Sequence, residues 1–158
     1  MDSWQERVDV VWADDALSDA DRIDRLAAER PAGDAIALFE RAGARDSAGL
    51  EAAAEPLYRA ALEHGLDSEH RAQAVIQLAS TVRNLGRADE SLALLRTEYE
   101  RGAEAPLHDA TAAFYALALA SNGDAATAVS VALKALAPHL PRYTRSVSAY
   151  ADDLLAGP

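Results

Sequence analysis

Cysteine is absent from the 158 residues, which excludes a disulfide, a thiolate metal site and a cysteine nucleophile. Glycine and proline are scarce, with 8 and 6 residues, so long uninterrupted helices are possible. Alanine, by contrast, accounts for nearly a quarter of the chain. Because alanine is the best helix former and a poor strand former, the composition predicts an all-α fold and excludes an all-β one.

Basic residues are also few: 15 Lys and Arg stand against 26 Asp and Glu, for a formal net charge of −11. Such a surface repels phosphate backbones, so we expect no nucleic-acid binding and no docking on anionic membranes. The longest uncharged run, Ala110 to Gly123, is too short to span a bilayer, and the amino terminus lacks the pattern of a signal peptide. We therefore predict a cytoplasmic protein, and the excess of Ala and Arg indicates a bacterial one.

Residues able to do chemistry form no recognisable motif. Serines lack a GxSxG setting, no glycine-rich phosphate loop occurs, and adjacent carboxylates such as Asp89 and Glu90 point about 100° apart on a helix. Four histidines lie in or beside predicted turns, where we expect them to be exposed, without the spacing of a zinc site: His64, His70, His108 and His139. We predict no enzymatic activity, no cofactor and no metal; a helical-bundle enzyme or metal protein is the weakest alternative.

Glycines mark an internal repeat. Gly49, Gly86 and Gly123 follow one another at intervals of 37 residues, and Gly65 and Gly102 have the same separation. Small residues share this period at two further positions: Ala42, Ala79 and Ala116, and then Ala54, Ser91 and Ala128. Each period predicts two helices. The first glycine ends helix A and the second ends helix B, because glycine tolerates the left-handed backbone of a helix C-terminus.

The chain accordingly divides into three parts. Residues 1–33 form an acidic N-terminal helical cap, residues 34–140 hold three repeats (about 34–67, 68–104 and 105–140), and residues 141–158 form a C-terminal cap helix. In the first part, Trp4, Val8 and Val11 share one helix face, and a second helix begins at 18–21. Pro56 predicts either a late start of the first helix B, near Ala53, or a kink in that helix, and we favour the late start.

The last helix begins at Pro141. We expect it to bury four apolar residues: Tyr143, Val147, Tyr150 and Leu154.

These residues resemble the tetratricopeptide repeat (TPR) family, most closely the short bacterial proteins of its fifth subfamily. The second period carries the pattern in Leu78-Ala79, Leu85-Gly86 and Ser91, and residues 54–62 look like a second TPR helix. The chain departs from the family in its period, which is usually about 34 residues, in a missing Trp, and in Arg41 and Arg45 at positions usually apolar. The resemblance implies a right-handed α-solenoid of about three antiparallel helix pairs with capping helices.

The resemblance also implies a site, because TPR proteins usually bind peptides in a concave groove lined by the A helices. Aligned on the glycines, the groove residues are Ile36, Phe39, Gln73, Ile76, Ser80, Arg83, Asn84, Ala113 and Leu117, with Gly43 and Asp46 beside them. Arg83 and Asn84 would clamp a carboxylate or a peptide backbone. The alternative is that Arg83 pairs with a local acid.

The third A helix runs from about Ala105 to Ser121. From Ala110 onwards it is uncharged and apolar on all sides, so we expect its groove face to be covered. The cover is the chain's own terminal helix, an apolar partner helix, a second copy of the chain, or the helix bearing Trp4 and Trp12. The sequence thus predicts a non-catalytic module that binds a protein partner in its groove. The alternative is a structural scaffold that forms a homodimer through the third repeat or the Trp helix.

Overall fold

The computed structural model describes residues 3–14 and 20–156, which contain α-helices and no strand. No helix within those two segments is long and apolar enough to cross a membrane. The predicted start of the second helix at Ser18 and Asp19 lies outside them. The helices are α1 (Trp4–Trp12), α2 (Ala20–Ala27), α3 (Ala35–Ser47), α4 (Glu51–His64), α5 (Ser68–Asn84), α6 (Ala88–Tyr99), α7 (His108–Ser121), α8 (Ala125–Leu136), a 3-10 turn (Ala137–His139) and α9 (Thr144–Ala156).

These helices belong to two compact units. Unit 1 comprises residues 1–85 with α1 to α5, and unit 2 comprises residues 86–158 with α6 to α9. The division falls between the two helices of the predicted second repeat.

The helix ends confirm the 37-residue period. The A helices end at Ser47, Asn84 and Ser121, and the B helices begin at Glu51, Ala88 and Ala125. All five repeat glycines have a left-handed backbone, with φ between 71° and 93°. Side chains rarely adopt this conformation, so the glycines are required where each helix stops and the chain reverses.

The core of unit 1 forms where α3, α4 and α5 pack on one another. Ala42 of α3 and Ala54 of α4 are fully buried, and Tyr58 of α4 is also fully buried and lies next to the Phe39 ring, 6.2 Å between centroids. One apolar face of α5 is also buried, at Ala72, Val75, Leu78, Ala79 and Val82. Small side chains at the helix contacts allow the helix axes to approach closely.

The first two helices pack over α3 and contribute their own apolar cluster. Val8 and Val11 of α1, Ile23 of α2 and Ala44 of α3 are buried together, as the spacing of Val8 and Val11 predicts. The indole Nε1 of Trp4 donates a hydrogen bond to the carbonyl oxygen of Leu26 at 2.8 Å. Trp4 is therefore held within unit 1.

Asp24 of α2 explains why α3 carries arginines where the family usually has apolar residues. Its carboxylate accepts hydrogen bonds from Arg45 at 3.1 and 2.7 Å, one to each oxygen, and from Arg41 at 2.9 Å. These hydrogen bonds, that of Arg45 above all, lower the pKa of Asp24 although partial burial acts against them. The two arginines thus bind α2 to α3.

The predicted late start of the first helix B is wrong. Helix α4 begins at Glu51 and contains Pro56 as its sixth residue. Proline removes one hydrogen bond, the one that would reach the carbonyl of Ala52. Pro56 and Ala52 are both exposed, so water can satisfy that carbonyl and the helix continues through the proline.

In unit 2, α7 packs between α6 and α8, and α9 packs on α8. The buried face of α7 includes Tyr115, whose ring lies 5.1 Å from that of Tyr99. Helix α7 begins at His108, later than the predicted Ala105, because Leu107 before it has a left-handed φ of 56°. Asp124 caps α8, because its Oδ1 accepts a hydrogen bond from the backbone N–H of Thr127 at 3.1 Å.

The predicted burial of the last helix is wrong. Helix α9 begins at Thr144, and among its residues Ala151 alone is fully buried. Tyr143 is 74% exposed, Tyr150 68% and Leu154 43%, while Val147 is half-buried. Close approach of α9 to α8 selects the face with the small residue Ala151, which turns the tyrosines towards solvent.

The expected cover of α7 by the terminal helix is therefore also wrong. Leu117 is 54% exposed, and Ala110, Ala113 and Ala120 on the same face are exposed. In the described part of unit 2, α6 and α8 pack on the other faces of α7, and α9 reaches α8 instead.

We predict that Asp24→Asn lowers the free energy of unfolding at neutral pH by about 0.5–1 kcal/mol, the range for partly exposed ion pairs. Since the pKa of Asp24 is lowered by folding, its contribution is full above its ordinary value of about 3.9 and is lost as the pH falls below that. Urea unfolding of both proteins at pH 7 and pH 3 measures this. Asp21→Asn on the same helix is the control, and an equal effect of both changes at pH 7 would contradict the role of Asp24.

Candidate functional site

A cavity of about 590 Å³ lies in unit 1, where α3 and α5 are neighbours and α1 and α4 complete its walls. It combines carboxylates, amides and aromatic rings, and no Arg or Lys of the described residues lines it. The lining residues are Gln5, Asp9, Trp12, Phe39, Glu40, Gly43, Asp46, Ser47, Glu51, Tyr58, His70, Gln73, Gln77 and Asn84.

Glu40 is the most deeply buried carboxylate of this cavity, with 6% of its surface exposed. Its Oε2 accepts a hydrogen bond from the indole Nε1 of Trp12 at 2.6 Å, and the side chain of Gln5 is a second donor. Burial raises the pKa of Glu40 above its ordinary value, and these hydrogen bonds and the nearby His70 offset only part of that effect. An ionised Glu40 therefore destabilises unit 1.

Asp46 lies further along α3, also lines the cavity, and is likewise a partly buried carboxylate. Its Oδ2 accepts a hydrogen bond from the Tyr58 hydroxyl at 3.3 Å. Burial raises the pKa of Asp46, and burial together with the charge of Asp46 raises the pKa of Tyr58. The tyrosine hydroxyl consequently stays protonated and remains a donor.

Trp12 forms one wall opposite Gly43 of α3. A Cβ placed on Gly43 would lie 3.4 Å from the indole ring, which is an ordinary van der Waals contact, so the ring packs against this position of the helix. Phe39 and Tyr58 add aromatic surface on the side of α3 and α4, and the ring of His70 meets Phe39 edge-on at 5.8 Å. The cavity is thus acidic with aromatic walls.

The structure brings together part of the site that the sequence predicts. Phe39, Gln73 and Asn84 line the cavity, with Gly43 and Asp46. Ile36, Ile76, Ser80 and Arg83 lie on α3 and α5 outside its lining, and Ile76 is buried. Ala113 and Leu117 lie in unit 2 and are exposed.

The predicted local pairing of Arg83 has no support. In the part of the chain that the structure describes, Arg83 forms no ion pair. It is half-buried near the end of α5.

Sequence reasoning missed four important members of the cavity: Trp12 as a wall, Glu40, His70 and Gln77. Gln77 carried a usable signal, because it lies one helical turn after Gln73 and therefore on the same face. Glu40 carried a weaker one, since an acid directly after Leu38 and Phe39 interrupts the buried face. The contact of Trp12 with Glu40 joins residues outside the repeat and had no signal.

The histidines are less exposed than the sequence predicts. His64 and His139 are exposed, whereas His70 and His108 are half-buried. His108 stacks on Tyr99 at 5.1 Å, and His70 contacts Phe39. Within residues 3–14 and 20–156, no three His, Asp or Glu side chains converge as metal ligands do.

We predict that Glu40→Gln raises the melting temperature at neutral pH. Glutamine keeps an acceptor for Trp12 and removes a charge whose burial is unfavourable. Because folding raises the pKa of Glu40, the gain is absent below the ordinary glutamate pKa of about 4.3 and develops as the pH rises through the folded value. Thermal unfolding from pH 3.5 to 8 measures it, with the exposed Glu63→Gln as control. A lower melting temperature at pH 7 would contradict the prediction.

Comparison with known proteins gives one match. A family model described as "Tetratrico peptide repeat" matches residues 35–154. No curated protein and no solved structure matches the chain. The match begins at the first residue of α3, includes all six repeat helices and extends into α9. With its antiparallel helix pairs and 37-residue period, the chain belongs to the tetratricopeptide repeat family, in the fifth subfamily that the sequence resembles.

Proposed function

We propose that this protein binds an extended segment of a partner protein on the α3–α5 surface of unit 1. TPR repeats are generally protein–protein interaction modules, which gives the class of function. The observation that carries the proposal is the cavity between these two A helices. Its volume lies in the range of about 300–1,000 Å³ that is typical of ligand sites, and its walls mix apolar rings with polar groups.

The polar groups have distinct roles in this proposal. Gln73 and Asn84 present amides that can donate to and accept from a peptide backbone, so they would hold the segment in an extended conformation. Phe39 and Trp12 would contact its side chains. Because helices α3 and α5 are fixed by a buried core, the surface is preformed and the partner alone loses conformational entropy on binding.

The same proposal treats the chain as non-catalytic and without a cofactor, as TPR modules typically are. The lining of the cavity contains Ser47 and His70, but Ser47 uses its hydroxyl to bond the carbonyl oxygen of Ala44, and His70 pairs with Asp67. Neither contact activates a nucleophile. A cytoplasmic location and a bacterial origin stay predictions from the sequence.

Peptide display against the immobilised full chain tests this proposal. We predict that selected peptides lose about tenfold in affinity when Gln73→Ala and Asn84→Ala are combined, because each amide contributes a hydrogen bond of about 0.5–1.5 kcal/mol. Both side chains are outside the fully buried core, so the melting temperature should change little. Glu63→Ala, exposed on α4, is the control. Peptides that bind the double variant as well as the natural chain would contradict the site.

A second function, self-association into a structural scaffold, is supported by one observation. Leu117 is 54% exposed at the centre of the apolar face of α7, and Val129 and Leu136 of α8 are also about half exposed. The Trp helix is a weaker candidate for a dimer interface. Trp4 bonds to Leu26 and Trp12 bonds to Glu40, so both indoles are engaged within unit 1.

For self-association, we predict that Leu117→Glu converts an oligomer into a monomer, since a buried unpaired charge opposes association. Light scattering over a concentration series measures the mass of the natural chain and of this variant. Ala126→Glu, at an exposed position of α8, is the control. A natural chain that is monomeric at every concentration would rule this function out.

A further inference from the structure

We infer that the unit 1 cavity accommodates a basic side chain, the guanidinium of an arginine or the ammonium of a lysine, carried by the partner segment. This inference rests on the proposed function and assigns the chemistry of the partner: a segment with a basic residue at one fixed position.

The charges that line the cavity are unbalanced. Four carboxylates contribute to its lining, at Asp9, Glu40, Asp46 and Glu51, and no Arg or Lys of the described residues does so. His70 is the one basic group in the lining, and its Nδ1 pairs with Asp67, which is outside the cavity. A cationic side chain that enters would therefore meet several hydrogen-bond acceptors and no described Arg or Lys side chain that competes for them.

Glu40 gives the cavity a buried carboxylate, which can accept hydrogen bonds from a cationic side chain. A carboxylate that is 6% exposed, and whose favourable partners among the described residues are Trp12, Gln5 and His70, keeps an unfavourable desolvation. A cationic side chain would relieve it, because a buried charge is tolerated when it is paired and hydrogen-bonded.

Gln77 supports a hydrogen-bond donor in the cavity independently of the charges. Its Oε1 atom is fully buried, lies in the lining of the cavity and receives no hydrogen bond from any described residue. Buried acceptors of this kind normally have a donor. The N–H groups of a guanidinium or an ammonium can donate to Gln77 and to a carboxylate at the same time.

The aromatic walls favour an organic cation over a metal ion. Trp12 lines the cavity and is 42% exposed, so its indole is accessible to a cation, and aromatic faces attract guanidinium and ammonium groups. Metal ions instead require several ligand atoms that converge on one point, and no three of the His, Asp and Glu side chains described do so. The volume of about 590 Å³ also accepts a whole side chain.

The indole N–H of Trp12 offers a direct readout, since it is bonded to Glu40 in the cavity wall. We propose to titrate the full chain, at pH 8, with the peptide acetyl-Gly-Arg-Gly-amide and with its neutral citrulline counterpart, while recording amide and indole NMR signals. The arginine peptide should shift the Trp12 indole signal at millimolar concentration. Trp4, whose indole bonds to Leu26, is the internal control and should not shift.

Variants then assign the effect to the buried carboxylate. Glu40→Gln should weaken binding of the arginine peptide about tenfold, whereas the matched change Glu63→Gln on the exposed side of α4 should leave it within a factor of two. Equal shifts with arginine and citrulline, equal loss in both variants, or no shift of Trp12 would each overturn the inference. Shifts spread over all acidic surfaces would do the same, because they indicate non-specific attraction.

The inference and the proposed function fail in different ways. If display selects peptides without Arg or Lys that depend on Gln73 and Asn84, segment binding stands and the basic side chain is wrong. If the arginine peptide binds as described but no displayed peptide depends on Gln73 and Asn84, the cation site stands and the proposed role in partner binding is wrong.

Discussion

Close contact between the two helices of a pair is the constraint on which this fold depends. In unit 1 it rests on Ala42 and Ala54, both fully buried, and in unit 2 on Ala116 and Ala128 at the equivalent positions. Larger side chains there would separate the helix axes and open the core. A chain that reverses directly after each A helix also needs a left-handed backbone, which glycine provides at Gly49 and Gly123. Small residues and glycines together position everything else.

With the helix pairs fixed, the α3 and α5 side chains that do not enter the core line a polar cavity. Glu40 illustrates the conflict this creates between stability and function. Removal of its carboxylate from water raises its pKa and weakens the folded state at neutral pH, and the hydrogen bond from Trp12 offsets only part of this effect. Sites that bind ligands commonly retain such unfavourable groups, because the ligand compensates them. A basic side chain of the partner is the compensation that the charges of this cavity favour.

Much of the fold could be predicted from the sequence because its signals are periodic. Glycines with a common spacing mark helix ends, and the TPR resemblance, aligned on those glycines, assigns Phe39, Gln73 and Asn84 to the groove faces of α3 and α5, where all three line the cavity. Contacts made outside the repeat had no such signal. The bond between Trp12 and Glu40 and the pairing of Asp24 with Arg45 depend on how α1 and α2 pack, which the repeat pattern does not specify.

Two wrong predictions have physical reasons of the same kind. Tyr150 was expected to be buried for its size, but the helix contact selected Ala151, because small residues allow closer packing. The terminal helix was expected to cover the apolar face of α7, yet that helix packs on α8 and leaves Leu117 exposed. Hydrophobicity alone identifies residues that gain from burial, and it does not decide which of them the helix geometry buries.

Site-specific photocrosslinking in the native cells tests the central claim most directly. A benzophenone amino acid would replace Gln73 in one protein and Leu117 in another, and the crosslinked products would be compared by mass. The α3–α5 site predicts a crosslink to a partner protein from position 73 and none from position 117. Crosslinks from position 117 alone, whether to a partner or to a second copy of the chain, would contradict it.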